Sequence, residues 1–142
     1  MKKVTIIYWS GTGNTEMMAQ AIAEGAKGEG AEVKLLNVSD AKPEDVFNAN
    51  AVALGCPSMG AEILEEEEME PFVTSLKSSE LTDKSVALFG SYDWGDGEWM
   101  RDWEERMKQY GANLVESGLI VNLTPGDDEL GDCKELGKKL AN

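Results

Sequence analysis

Val4-Thr5-Ile6-Ile7-Tyr8-Trp9-Ser10-Gly11-Thr12-Gly13-Asn14-Thr15 decides the fold. Val4 to Tyr8 is a β-rich apolar run of the kind that suits a strand buried on both faces. It empties into a turn with two glycines. From Thr12 to Lys27 the apolar residues Met17, Met18, Ala21, Ile22 and Ala26 then recur near a 3.6-residue period, and Gly28 or Gly30 ends the helix.

The same alternation continues outward to the end of the chain. Strands are expected at Glu32 to Val38, Ala51 to Cys56, Ser85 to Gly90 and Asn113 to Val121, the last with a candidate break at Gly118. Helices are expected around Pro43 to Phe47, from Met69 to Leu76, from Glu98 to Tyr110 and from Glu129 to Leu140. Trp99, Trp103, Met107 and Tyr110 form one stripe, which assigns both tryptophans to the core. Alternating strands and helices with near-continuous apolar strands predict an α/β fold, a parallel five-stranded sheet covered by helices on both faces. No repeat or linker divides residues 1–142, so one domain is expected. Ligands of such sheets sit beyond the strand carboxyl ends, which singles out the loops after strands one, three and four.

Composition narrows the chemistry. The chain of 142 residues is 42% hydrophobic, enough for a core. It carries 13 basic and 27 acidic side chains, a net charge of −14. Such a surface repels nucleic acid and anionic lipid and favours basic protein partners. There is no histidine, which removes His-assisted nucleophiles and His metal sites. Cys56 and Cys133 lack metal-ligand or C-x-x-C spacing and read as reduced, buried thiols of a cytosolic protein. Lys2-Lys3 and the short run after Met1 do not make a signal peptide, because a glycine turn follows at once. No stretch approaches the ~20 apolar residues of a membrane span. The expectation is a cytoplasmic protein.

The first loop, Ser10 to Thr15, combines sharp glycine turns at Gly11 and Gly13 with hydroxyl and amide donors from Ser10, Thr12, Asn14 and Thr15. Backbone N–H groups at the helix head add the positive end of its dipole. A phosphate cradle without Lys or Arg suits a terminal phosphomonoester. An ordinary capped glycine turn is the plainer alternative. The dinucleotide fingerprint fails because its third glycine is Glu16, and the P-loop fails for want of Gly-Lys-Ser/Thr.

These residues match in full the phosphate signature of the flavodoxin family, Thr/Ser-x-Thr-Gly-x-Thr. The chain resembles that family along its length, and specifically the short-chain branch without a long insertion in the fifth strand. The resemblance implies a three-layer doubly wound sheet of strand order 2-1-3-4-5. It also implies non-covalently bound flavin mononucleotide (FMN).

The loop after strand three reads Pro57-Ser58-Met59-Gly60-Ala61-Glu62. A polarisable Met at a turn tip can lie on an aromatic ring, and a glycine lets the adjoining peptide flip cheaply. The resemblance implies that Met59 packs on one flavin face and that the Met59–Gly60 carbonyl accepts a bond from N5 when an electron and a proton arrive. It also implies that Glu62 accepts from the ring N3–H. One such bond is worth ~1 kcal/mol, and a tenfold change in a one-electron equilibrium is about 59 mV. Ala61 departs from the pattern, which often has an acid there. On the residues alone, Met59 also reads as a core or exposed Met, and Glu62 as a solvated acid.

After strand four, Gly90-Ser91-Tyr92-Asp93-Trp94-Gly95 matches the family's Gly-Ser-Tyr-Gly-Trp-Gly with one departure, Asp93. An aromatic residue among glycines can stack on a planar ligand or meet a partner. The resemblance gives Trp94 the second ring face and Gly95 a backbone contact with the pyrimidine edge. If Asp93 inherits a glycine's positive φ, its backbone is strained. Its charge is expected to disfavour the reduced anionic flavin, so that Asp93→Gly raises the second potential. Trp9 either screens the ribityl chain or packs.

The function implied is a low-potential, one-electron carrier that shuttles mainly between flavin semiquinone and hydroquinone, most simply as a monomer. Its partners would be redox proteins with basic docking surfaces. Glu65 to Glu68 and Glu70 read as a solvated helix start or as an acidic rim that steers them. Two alternatives compete. An FMN-dependent NAD(P)H or quinone reductase needs room over a ring that Met59 and Trp94 cover. A phosphoacceptor receiver domain needs acids where Tyr8-Trp9-Ser10 and Gly55-Cys56 stand.

Overall fold

A computed structural model describes residues 2–77, 81, 82 and 84–142; of the residues discussed above, only Met1 lies outside them. The elements run β1 (Lys3–Tyr8), α1 (Asn14–Gly28), β2 (Glu32–Asn37), a 3-10 turn (Val38–Asp40), α2 (Pro43–Phe47), β3 (Ala51–Gly55), α3 (Met69–Thr74), β4 (Ser85–Tyr92), α4 (Glu98–Gln109), β5 (Asn113–Leu114), β6 (Leu119–Asn122) and α5 (Asp127–Ala141). No helix among the described residues is long and apolar enough to cross a membrane.

All strands pair in parallel, in the order β2-β1-β3-β4, with β5 and β6 both on the outer edge of β4. Every residue of β3, in the middle, is buried, whereas the edge strand β2 is largely half-buried or exposed. Alternate side chains divide between two cores, as the two-residue period of a strand requires. Ile7, Val52, Leu54, Val86 and Leu88 pack with Met69, Phe72, Trp99 and Trp103 of α3 and α4. Val4, Ile6, Ala51, Ala53, Ala87 and Phe89 face α1 and α5.

The two helices over the second core touch backbone to backbone. A Cβ on Gly25 of α1 would stand 2.0 Å from the Lys134 carbonyl oxygen of α5, and one on Gly137 would stand 2.0 Å from that of Ile22. Both glycines sit inside helices, where they cost roughly 1 kcal/mol in propensity relative to Ala. The close crossing is what that cost secures.

The expected fifth strand is divided. β5 pairs with Ser85 and Val86, and β6 with Phe89 to Tyr92. Val115 still donates to the Val86 carbonyl at 3.0 Å, and residues 116–118 then leave the ladder before β6 begins. Gly118 is the break: a Cβ there would lie 2.4 Å from Met100 Cγ, and its N–H donates to Glu104 Oε2 at 2.6 Å. Smaller differences sit at helix starts. α1 begins at Asn14 rather than Thr12, because Gly13 takes a left-handed φ of 96°. α5 begins at Asp127 rather than Glu129, and the Glu129 carboxylate accepts from the Gly126 N–H.

Strand order reverses between β1 and β3, since the chain leaves β1 to one side and returns to the other. Their carboxyl ends therefore splay open a crevice.

Candidate functional site

The crevice is walled by three loops. The first contributes Trp9, Ser10, Gly11 and Thr12, with Thr15 from the head of α1. Pro57, Ser58 and Met59 follow β3, and Ser91, Tyr92, Asp93 and Trp94 close the far wall. Of the residues singled out from sequence, Gly13, Asn14, Gly60, Ala61, Glu62 and Gly95 lie outside this lining. Trp9 does both things considered for it: it lines the cleft and also packs on the loop, where a Cβ on Gly11 would come within 3.0 Å of its ring.

Serine and threonine hydroxyls hold the cradle in shape. Ser10 Oγ accepts from the N–H groups of Gly13 (3.1 Å) and Glu16 (3.3 Å), which leaves its own proton to donate outward. Thr15 is buried, and its Oγ1 lies 3.1 Å from Ser91 Oγ and accepts from the Ser91 N–H at 3.3 Å. Glu16, at the position where a dinucleotide fingerprint has glycine, accepts from the Tyr8 hydroxyl at 3.3 Å. Burial, with help from Glu16, raises the Tyr8 phenol above its ordinary value.

The second loop is a short hairpin. Met59 and Ile63 exchange both backbone hydrogen bonds at 3.0 Å, so the Met59 carbonyl is engaged by the Ile63 N–H. Any flip of the Met59–Gly60 peptide must first break that bond. Gly60 and Glu62 both have positive φ, 46° and 57°. Glu62 pays a strain of ~1–2 kcal/mol for this, and its carboxylate crosses to the third loop to accept from the Asp96 N–H at 3.1 Å. Gly95 admits that approach, since a Cβ there would sit 2.0 Å from Glu62 Oε1.

Below the hairpin, Cys56 Sγ donates to the Pro57 carbonyl and accepts from the Glu65 N–H, both at 3.4 Å. Burial pushes the thiols of Cys56 and Cys133 up to about 12, so neither is a thiolate at neutral pH. Glu65 does not belong with its acidic neighbours. It is buried, and its carboxylate accepts from the N–H groups of Glu67, Glu68 and Met69, which caps α3. Sequence reasoning missed this role. A carboxylate four residues before Met69 was the available signal, hidden in a run of like charges. The exposed acids of the run are Glu66, Glu67 and Glu68.

Non-glycine positive φ is confined among the described residues to Glu62 and Leu123, neither of them in the third loop. Asp93 therefore does not inherit the left-handed backbone considered for it. Trp94 is 57% exposed, an indole held open over the cleft. Asp96 is gripped by Arg101, Nη1 on its carbonyl at 2.9 Å and Nη2 on its carboxylate at 3.0 Å.

The donor set has a specific character. Among the residues lining the cleft, Asp93 carries the one charge. Ser58 Oγ is buried there without a hydrogen-bond partner among the described residues, and a buried hydroxyl calls for one, whether an ordered water or a ligand. Neutral donors at a helix head suit a phosphate, while Met59 and Trp94 offer apolar surface to a flat ring. The residues present fit FMN.

A neutral phosphate cradle, joined to a cleft with a thioether and an indole at the switch point of a doubly wound sheet, defines a mononucleotide-binding flavoprotein. Comparison with known proteins narrows this class. The family model for flavodoxin matches residues 6–137. Flavodoxin from Clostridium beijerinckii is 53% identical over 96% of this chain and 98% of its own length. That from Megasphaera elsdenii is 46% identical over 97% and 98%. The solution structure of two-electron reduced Megasphaera elsdenii flavodoxin superimposes with a TM-score of 0.88 over 97% of this chain and 98% of that one. The chain belongs to the flavodoxin family. It is an FMN-binding electron-transfer protein that serves redox partners, not an enzyme.

Proposed function

We propose that residues 1–142 act as one domain and one copy, carrying single electrons at low potential, mainly across the second of the two one-electron steps of bound FMN. The cofactor supplies the redox chemistry, and the protein supplies binding, orientation and field. Ser10, Thr12, Asn14 and Thr15 would hold the phosphate with the backbone of Gly11 and Gly13. Pro57, Ser58, Met59, Gly60, Ala61 and Glu62 would border one side of the ring. Ser91, Tyr92, Asp93, Trp94 and Gly95 would border the other. The observation that carries this reading is the cleft's nearly uncharged lining with its unpaired Ser58 hydroxyl.

The partners would present basic docking surfaces to the exposed acids Glu66 to Glu68, Asp93 and Asp96. The net charge of −14 supports this and argues against nucleic acid and anionic membranes as partners. Two free, buried thiols support a cytoplasmic setting. The test is FMN uptake by the purified protein, followed by spectra during stepwise reduction. Tight uptake and two separate one-electron stages are expected. A single two-electron stage, or steady-state oxidation of NAD(P)H, would count against the proposal. Transfer rates to a basic partner should fall as salt rises; rates that stay flat would remove the docking surface.

A further inference from the structure

Asp93 stands where the family pattern has glycine, and it brings the one charge to the lining of the cleft. Neighbouring acids have partners: Asp96 has Arg101, Glu62 has the Asp96 N–H, and Glu16 has the Tyr8 hydroxyl. No cation among the described residues forms an ion pair with Asp93. Its backbone is not left-handed, so the departure from glycine changes charge without straining the loop.

We propose that Asp93 sets the reducing power of this carrier. Its uncompensated carboxylate opposes the second one-electron addition. That electron comes from an external reductant and adds negative charge to the cleft when no proton follows it. The midpoint of this step is therefore more negative than a neutral residue at the same place would give. The first step takes up a proton with its electron, leaves the charge unchanged and is affected less. Two charges several ångströms apart at a solvent-open site interact weakly, which corresponds to about threefold in the equilibrium constant, or ~30 mV.

This proposal rests on FMN as the cofactor, and its test separates the two. Wild type, Asp93→Asn and Asp93→Gly are titrated with FMN, and both midpoint potentials of each loaded protein are then measured at low and high salt. The expected result is a less negative second potential in both variants, by similar amounts. The gap to wild type should shrink as the Debye length falls from about 30 Å at 0.01 M to about 3 Å at 1 M. An Asp93→Asn potential equal to wild type overturns the proposal. So does a shift in the glycine variant alone, which would assign the effect to backbone freedom, or a gap indifferent to salt. Failure of the wild type to take up FMN would remove the cofactor reading as well.

Discussion

Thr15 Oγ1 and Ser91 Oγ lie 3.1 Å apart across 76 residues of sequence, and the pair is buried. One hydroxyl opens the first turn of α1 and the other ends β4, so this contact ties the phosphate loop to the loop that carries Trp94. Replacing Thr15 by Val keeps the shape and removes the acceptor of the Ser91 N–H. A loss of about 1–3 kcal/mol in unfolding free energy is expected, together with weaker FMN binding. Urea denaturation and FMN titration measure the two effects. A variant as stable as wild type would show that the pair contributes nothing net.

Ser58 predicts the opposite sign for stability. Its hydroxyl is buried and has no hydrogen-bond partner among the described residues. Ser58→Ala removes that penalty, so the apoprotein should gain roughly 1 kcal/mol while FMN affinity drops. Thermal unfolding with and without FMN gives both numbers. A destabilised apoprotein would mean that the hydroxyl already has a partner.

Glu65 links stability to pH. Burial pushes its carboxyl up, but the N–H groups of Met69, Glu67 and Glu68 outweigh this and hold it below the usual range. Its folded pKa thus lies under an unfolded value of about 4.3. The stabilisation is fully present above that value and is lost as pH falls through the folded pKa. Glu65→Ala should cost about 1 kcal/mol near pH 7, the typical worth of a cap, and progressively less below pH 4. Urea midpoints across pH 3–7 measure it; a difference that does not change with pH would exclude the charged cap.

The α1–α5 crossing leaves no room for a methyl group. Gly137→Ala would drive its Cβ against the Ile22 carbonyl, which more than offsets the gain in helix propensity. A net loss of about 1–3 kcal/mol is expected. Gly131→Ala is the control: it lies in the same helix, with nothing within 4 Å of its Cβ position, and should stabilise. Equal effects at the two positions would contradict the backbone contact.

How much was legible follows from the physics of each signal. β1, β3 and β4 announced themselves because strands buried on both faces are apolar throughout. The Ser10 to Thr15 loop was legible because few residue patterns let a chain turn that tightly and still offer donors. Long-range pairings were not. Thr15 with Ser91 and Glu62 with Asp96 join segments far apart in sequence, whose spacing carries no local signal. Glu65 was obscured because burial, not identity, separates it from Glu66 to Glu68. The conformation of Asp93 could be settled only by its φ.

Residues 116–118 have a consequence for tolerance to change. They already lie off the ladder, and Ser117 is exposed. Chain inserted between Glu116 and Ser117 would extend an existing detour and leave the pairings of β5 and β6 in place. Each doubling of such a segment costs only ~0.6 kcal/mol in closure entropy. An epitope or affinity tag grafted at this point should therefore be carried with little loss of folding.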